Sequence, residues 1–278
     1  MKNKGNLFFR IALVVCGAVA LYSAYQIFKI SNEYQEGKKG YEALVENYGV
    51  TESEVLLLSN GSTEESSEQM HQTGSLLTGN VEEAQAILPV SLEKMQADYP
   101  DLVGWIQIPQ TGLDYPVMQT PQEPNYYLHR DINGNKSSYG VPYLQENCDV
   151  DASDHLIIYG HHMKNGDMFG SLEEYQSPDY WRDNRSIFLW FGESEREYEI
   201  FAVFKTSASV ANTNIFYYNS FVDAEDEEAY NAFVKQVKGL SFYETHIVPQ
   251  YGEQLLTLST CEYTLEDGRL VVMARRIK

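Results

Sequence analysis

The hydropathy pattern changes character twice along the chain. Residues 11–30, IALVVCGAVALYSAYQIFKI, are apolar almost without a break, interrupted by small polar residues and Lys29. About 20 such residues span the hydrocarbon core of a bilayer. Lys2, Lys4 and Arg10 precede the run, which predicts a cytoplasmic amino terminus with the remainder outside the cell. Residues 1–31 therefore read as a cytoplasmic tip and a single-pass membrane anchor. A cleaved signal peptide would have a shorter apolar region; Gly17-Ala18-Val19-Ala20 offers a weak cleavage site, but the apolar pattern runs past it. Cys16 follows Val15, where a lipoprotein cysteine would follow a small residue, and reads as a small apolar residue of the span.

Residues 32–84 read as an extracellular stalk. Tyr41, Leu44 and Tyr48 fall at i, i+3 and i+7, which marks a short, marginal helix over 32–50. Residues 59–80 are rich in Ser, Gly and Glu and read as a solvated linker, with His71 a surface histidine. From 85 to 278 the pattern is that of one domain. Two short helices open it, the first broken by Pro89. Short apolar or alternating runs then recur at 104–109, 115–119, 141–145, 155–160, 187–191, 196–206, 254–260 and 269–277, bounded by turn residues. Eight short strands with few helices predict a mainly β fold, a closed or nearly closed barrel. Residues 224–240 break the rhythm. Acidic residues at the start, Ala229, Phe233, Val234 and Val237 on one side, and Lys235 and Lys238 near the end predict one inserted helix.

Composition narrows the function classes. Aromatic content is 13%, which is too rich for a disordered chain and suits strands. Net charge is −20, so the surface repels nucleic-acid phosphates. Three cysteines, Cys16, Cys148 and Cys261, are too few for a disulfide scaffold, and no paired spacing suggests structural zinc.

Two thiols lie outside the span. Cys261 closes the apolar strand LLTLST, where a side chain is both rigidly held and reachable. Cys148 has Glu146, Asp149 and Asp151 around it, and carboxylates blunt a thiol. Arg269 follows Cys261 by eight residues; if their strands are antiparallel neighbours, the two meet, and a guanidinium favours thiolate and binds an oxyanion. A thiol enzyme also needs a proton carrier, and His129, His155, His161, His162 and His246 are the candidates. His161 directly follows the strand HLIIY and Gly160, while His162 should point the other way. The plainer alternatives are a buried structural cysteine, a solvated arginine, or a Cys148–Cys261 disulfide.

At these residues the sequence resembles the sortases, specifically class B. IIYGHHM (157–163) is similar to the family's histidine strand, TLSTCE (257–262) to its cysteine motif and DGRLVVMARRI (267–277) to its arginine strand. Segments 105–119, 125–140 and 168–175 and the helix at 224–240 also look like class B, so the resemblance covers about 85–278. It implies Cys261, His161 and Arg269 as the catalytic group, with Ser259, Glu262, Tyr127 and Leu128 near or lining the substrate site. It implies a membrane-anchored transpeptidase with no cofactor or metal. Such an enzyme cleaves a sorting signal of surface proteins after Thr and joins them to a peptidoglycan amine. A pilus-polymerising sortase, an extracellular cysteine protease and a non-catalytic binding domain are the alternatives.

Overall fold

The computed structural model describes residues 3–49, 88–192, 194–207, 215–262 and 267–278. The linker expected at 59–80, the first short helix expected before Pro89 and the turn 263–266 lie outside the described residues.

Helix α1 (Asn3–Tyr48) is continuous through the apolar run and beyond it. Among the described residues it is the one helix long and apolar enough to cross a membrane. Phe9, Ile11, Leu13, Val14, Leu21 and Phe28 all stand exposed on it. The segment expected as a marginal helix over 32–50 is its carboxyl-terminal part, and it packs against the domain. Leu44 is buried there beside Val90, Leu92 and Met95. The Tyr48 carbonyl accepts from Ser91 N at 2.8 Å, and Gly49 bridges Val90. Gly37 packs directly on the domain, since a Cβ there would lie 2.7 Å from the Tyr139 ring. A glycine inside a helix costs about 1 kcal/mol relative to alanine, and here that cost allows the close approach.

Helix α2 (Leu92–Asp98) is capped by the Ser91 hydroxyl, which accepts from Lys94 N, and it buries Leu92 and Met95. Eight strands follow: β1 (Leu102–Ile108), β2 (Leu113–Met118), β3 (Tyr143–Leu144), β4 (His155–Tyr159), β5 (Ser186–Phe191), β6 (Ser194–Ser207), β7 (Leu255–Glu262) and β8 (Gly268–Arg276). They close into a barrel in the order β1-β2-β3-β4-β7-β8-β6-β5. Two neighbour pairs, β2–β3 and β4–β7, are parallel; the others are antiparallel. Closure leaves no free sheet edge, and it brings β4 and β7, about a hundred residues apart in sequence, into one ladder. The largest core cluster includes Ile106, Leu156, Ile158, Leu258, Val271 and Val272, all fully buried.

A third helix, α3 (Pro178–Asp183), is capped by Ser177. Helix α4 (Glu227–Leu240) is the inserted helix between β6 and β7. Asp226 caps it by accepting from Ala229 N at 2.8 Å, with Glu227 and Glu228 in its first turn. Its buried face is Tyr230, Phe233, Val234 and Val237, and Phe233 stacks on Phe221 with ring centroids 4.0 Å apart.

Candidate active site

Cys261 and Arg269 are register partners across the antiparallel pair β7–β8, one step from its last pair, Glu262 and Gly268. Partners in such a ladder lie roughly 4.5–5.5 Å apart at Cα and point to the same face. Both are half-buried. The Arg269 guanidinium is held at its root by the main chain, donating to the carbonyls of Gly268 at 2.9 Å and Asp267 at 3.2 Å. Tyr143 and Tyr218 stand close enough to feel both groups. Burial raises each phenol above the ordinary tyrosine range; Arg269 opposes that rise, and a Cys261 thiolate adds to it.

The histidine expected as proton carrier, His161, follows β4. That strand's parallel register with β7 pairs Tyr159 with Ser259, and Gly160 N continues the ladder by donating to Ser259 O at 3.1 Å. The paired ladder ends there; His161 lies two residues past its last β4 member, as Cys261 lies two residues past Ser259 on β7. Only glycine fits at 160: an added Cβ would lie 2.6 Å from the Phe169 ring. Nε2 of His161 is hydrogen-bonded to the Leu128 carbonyl. A carbonyl only accepts, so Nε2 carries the hydrogen and Nδ1 keeps its lone pair. Burial holds the imidazole below its usual 6.5; the Leu128 bond works the other way, and His129, with ring centroids 5.3 Å off, adds to the lowering. The ring is thus mainly neutral at pH 7.

His162 is engaged differently. Its Nδ1 meets the Cys261 carbonyl at 3.0 Å and its Nε2 lies 3.3 Å from Glu173. Its ring therefore braces the cysteine's main chain. On that side a cleft of about 530 Å³ is lined by His162, Asp167, Glu173 and Glu174 among others.

Cys148 is buried, its Sγ 3.5 Å from the His155 carbonyl, and burial pushes its thiol up to about 11. All three cysteines are free, so the Cys148–Cys261 disulfide is not formed. His155 is a core residue bonded to Phe221 O and Thr257 Oγ1, and His246 is exposed in a loop. Of the residues expected near the substrate, Ser259 is buried with its hydroxyl 2.6 Å from that of Tyr218. The Tyr127 ring is buried and its phenol donates to Asp101 at 2.8 Å. Leu128 is half-buried and contributes the carbonyl that fixes His161. Glu262 pairs through its backbone with Gly268, and its side chain is outside the described residues. Tyr218 went unnoticed in the sequence; it lies in a single 3-10 turn (Tyr218–Ser220), where no periodicity marks a buried phenol.

These strands coincide with a known domain. The family profile described as Sortase domain matches residues 106–277. The chain belongs to the sortase family. Sortase B of Listeria monocytogenes is 32% identical over 191 residues, which cover 67% of this chain and 74% of the relative. Sortase B of Staphylococcus aureus is 28% identical over 193 residues, 68% of this chain and 74% of the relative. The crystal structure of Clostridium perfringens sortase B superposes with a TM-score of 0.61 at 25% identity, covering 68% of this chain and all of that one. The chain is a class B sortase by these likenesses, with the closed mixed barrel of its structural neighbours. Sortases are cysteine transpeptidases of cell-wall sorting, and that general activity comes with the family.

Proposed function

We propose that this sortase cleaves a sorting signal after Thr through a Cys261 thioester and passes the acyl group to a peptidoglycan amine. The observation that carries the reading is the meeting of two ladders toward one end of β7: Cys261 is the register partner of Arg269 on β8, and the β4–β7 ladder ends at Tyr159–Ser259, two residues before His161 and Cys261. Neutral His161 takes the thiol proton on Nδ1, while Leu128 keeps Nε2 protonated. The sulfur attacks the Thr carbonyl, and the Arg269 guanidinium faces the oxyanion that forms. His161 then gives its proton to the leaving amine as the C–N bond breaks, which leaves the thioester. The acceptor amine attacks the thioester and loses a proton to His161, and the thiolate departs and is reprotonated. The class B resemblance suggests a signal of the NP-x-T kind and supports an amine of the wall stem or cross-bridge.

The exposed apolar stretch of α1 supports a membrane anchor, with Lys2, Lys4 and Arg10 on the cytoplasmic side. The anchor confines the enzyme to the surface that holds its membrane-retained precursors, which raises their effective concentration. Residues 85–278 form the catalytic domain in this reading, and 32–84 join it to the anchor. A panel of sorting peptides incubated with the full-length protein in nanodiscs tests the reaction. Product mass with and without an added wall-type amine distinguishes ligation from hydrolysis. Cleavage after Thr, with amine-dependent ligation lost in Cys261→Ala, is the expected result. Hydrolysis that no amine can divert would instead mark a protease.

A further inference from the structure

The reaction as proposed uses only groups on the barrel, yet α1 reaches the wall behind His161. We propose that Tyr41, on the juxtamembrane part of α1, is a positioning residue that holds the His161 imidazole through Gly140; the inference rests on the role given to His161 above.

Three contacts carry it. The Tyr41 hydroxyl donates to the Gly140 carbonyl at 2.9 Å, across 99 residues of sequence. Gly140 has φ +62 and leaves no room behind it: an added Cβ would lie 2.6 Å from Leu128 O, 2.8 Å from Tyr127 O and 3.0 Å from Cδ2 of His161. The peptide that Tyr41 grips therefore lies against both the imidazole and the carbonyl that fixes its tautomer. Val141 N completes the strap by donating to Tyr127 O at 3.1 Å.

The same helix face touches the opposite side of the histidine loop. The Tyr41 ring meets that of Tyr115 edge to face at 5.1 Å, and the Tyr115 hydroxyl accepts from Met168 N at 3.0 Å. Phe169 N, next along, donates to the His161 carbonyl at 2.9 Å. Tyr34 packs edge-on against Tyr139, whose hydroxyl bonds Asp167, and Gly37 lets the helix down onto that ring. An anchor helix needs none of these contacts in order to tether a domain. They converge on the two segments that flank His161, and they offer a polar bond where simple packing would need only apolar side chains. The titratable group that acts on the imidazole is His129, from the preceding loop, with ring centroids 5.3 Å apart.

The test uses the full chain in nanodiscs, selectively labelled at histidine, with Tyr41→Phe, Gly37→Ala and Lys39→Ala, the last on the exposed face of α1. Tyr41→Phe removes one hydroxyl. The His161 resonance is expected to titrate nearer 6.5 than in the wild type, because a loosened strap admits water. Peptide-cleavage kcat should fall about five- to tenfold with KM within about twofold. His162 and the melting temperature should stay put, and Lys39→Ala should match the wild type. Gly37→Ala should move the same resonance by lifting the helix off Tyr139. An unmoved His161 titration in Tyr41→Phe overturns the proposal. So does movement in Gly37→Ala alone, since the hydroxyl would then play no part. If the wild type cleaved no peptide at all, the proposed function would fail, while the titration would still decide the role of Tyr41.

Discussion

Nε2 of His161 is hydrogen-bonded to the carbonyl of Leu128. The bond leaves Nδ1 as the nitrogen that the proposed mechanism uses for proton exchange with the thiol, and the neighbouring His162 is engaged with the Cys261 main chain and Glu173. His161→Ala should lower kcat/KM for peptide cleavage by about 10² to 10⁴. His162→Ala should cost far less and show mainly as a change in stability. The reverse ranking would move the proton-carrying role to residue 162.

The pH profile follows from the same ring. Its pKa is held below 6.5, chiefly by burial. The neutral form that accepts the thiol proton therefore persists as pH drops through 6.5. The acid limb of kcat/KM should fall below that value. Converting His129, which adds to the lowering, to Gln should move the limb upward. A limb already at 6.5 or higher in the wild type would contradict the assignment.

The two thiols outside the apolar run should separate cleanly in reactivity. Cys148 is enclosed and its thiol pushed up to about 11, whereas Cys261 is partly open at a strand end. In a Cys16→Ala background, iodoacetamide at neutral pH should label Cys261 and spare Cys148 until the fold is lost, as read by peptide mass mapping. Prior labelling of Cys148 would argue that the site has been misplaced.

Arg269→Ala should reduce kcat by about 10² to 10³ with little change in melting temperature, since among the described residues the guanidinium bonds only to the carbonyls of its two preceding residues. Arg269→Lys should recover only part of it, because an ammonium cannot reproduce the planar fork of donors. Full activity in the lysine variant would reduce the residue to a general positive charge.

His155 gives the fold its own pH dependence. Burial lowers its pKa to about 4 while the unfolded chain titrates near 6.5. Between those values the unfolded state binds the extra proton, so the stability present above 6.5 is lost as pH falls toward 4. The loss is on the order of 3 kcal/mol. Urea midpoints at pH 7 and pH 4.5 should differ accordingly, and His155→Gln should flatten the difference at a cost in overall stability.

All eight strands were legible because each is an apolar or alternating run of strand length between turn residues. The β3 run was read too long, as 141–145 against Tyr143–Leu144, since Pro142 has no N–H to add to the ladder. The six-residue α3 is too short to show a period, and its one sequence mark is the Ser177-Pro178 cap. Residues 32–48 looked marginal because a short helix is weak alone; here it extends a longer helix and buries Leu44 against the domain. Within the site, Cys261 and Arg269 could be paired from sequence because eight residues separate them on consecutive strands. The Leu128 carbonyl, Gly140 and Tyr41 could not. They come from three separate segments that meet His161 only when the barrel is closed.

The unbroken course of α1 also sets an altitude. With residues 11–30 in a bilayer as proposed, the eleven residues from Ile30 to Tyr41 rise about 16 Å at roughly 1.5 Å each. The scissile peptide would then be met at a fixed, low height above the lipid headgroups. A client still embedded by its own tail would then be captured best when its sorting signal lies close to that tail's outer end. Lengthening its spacer should slow capture even when every contact inside the groove is preserved.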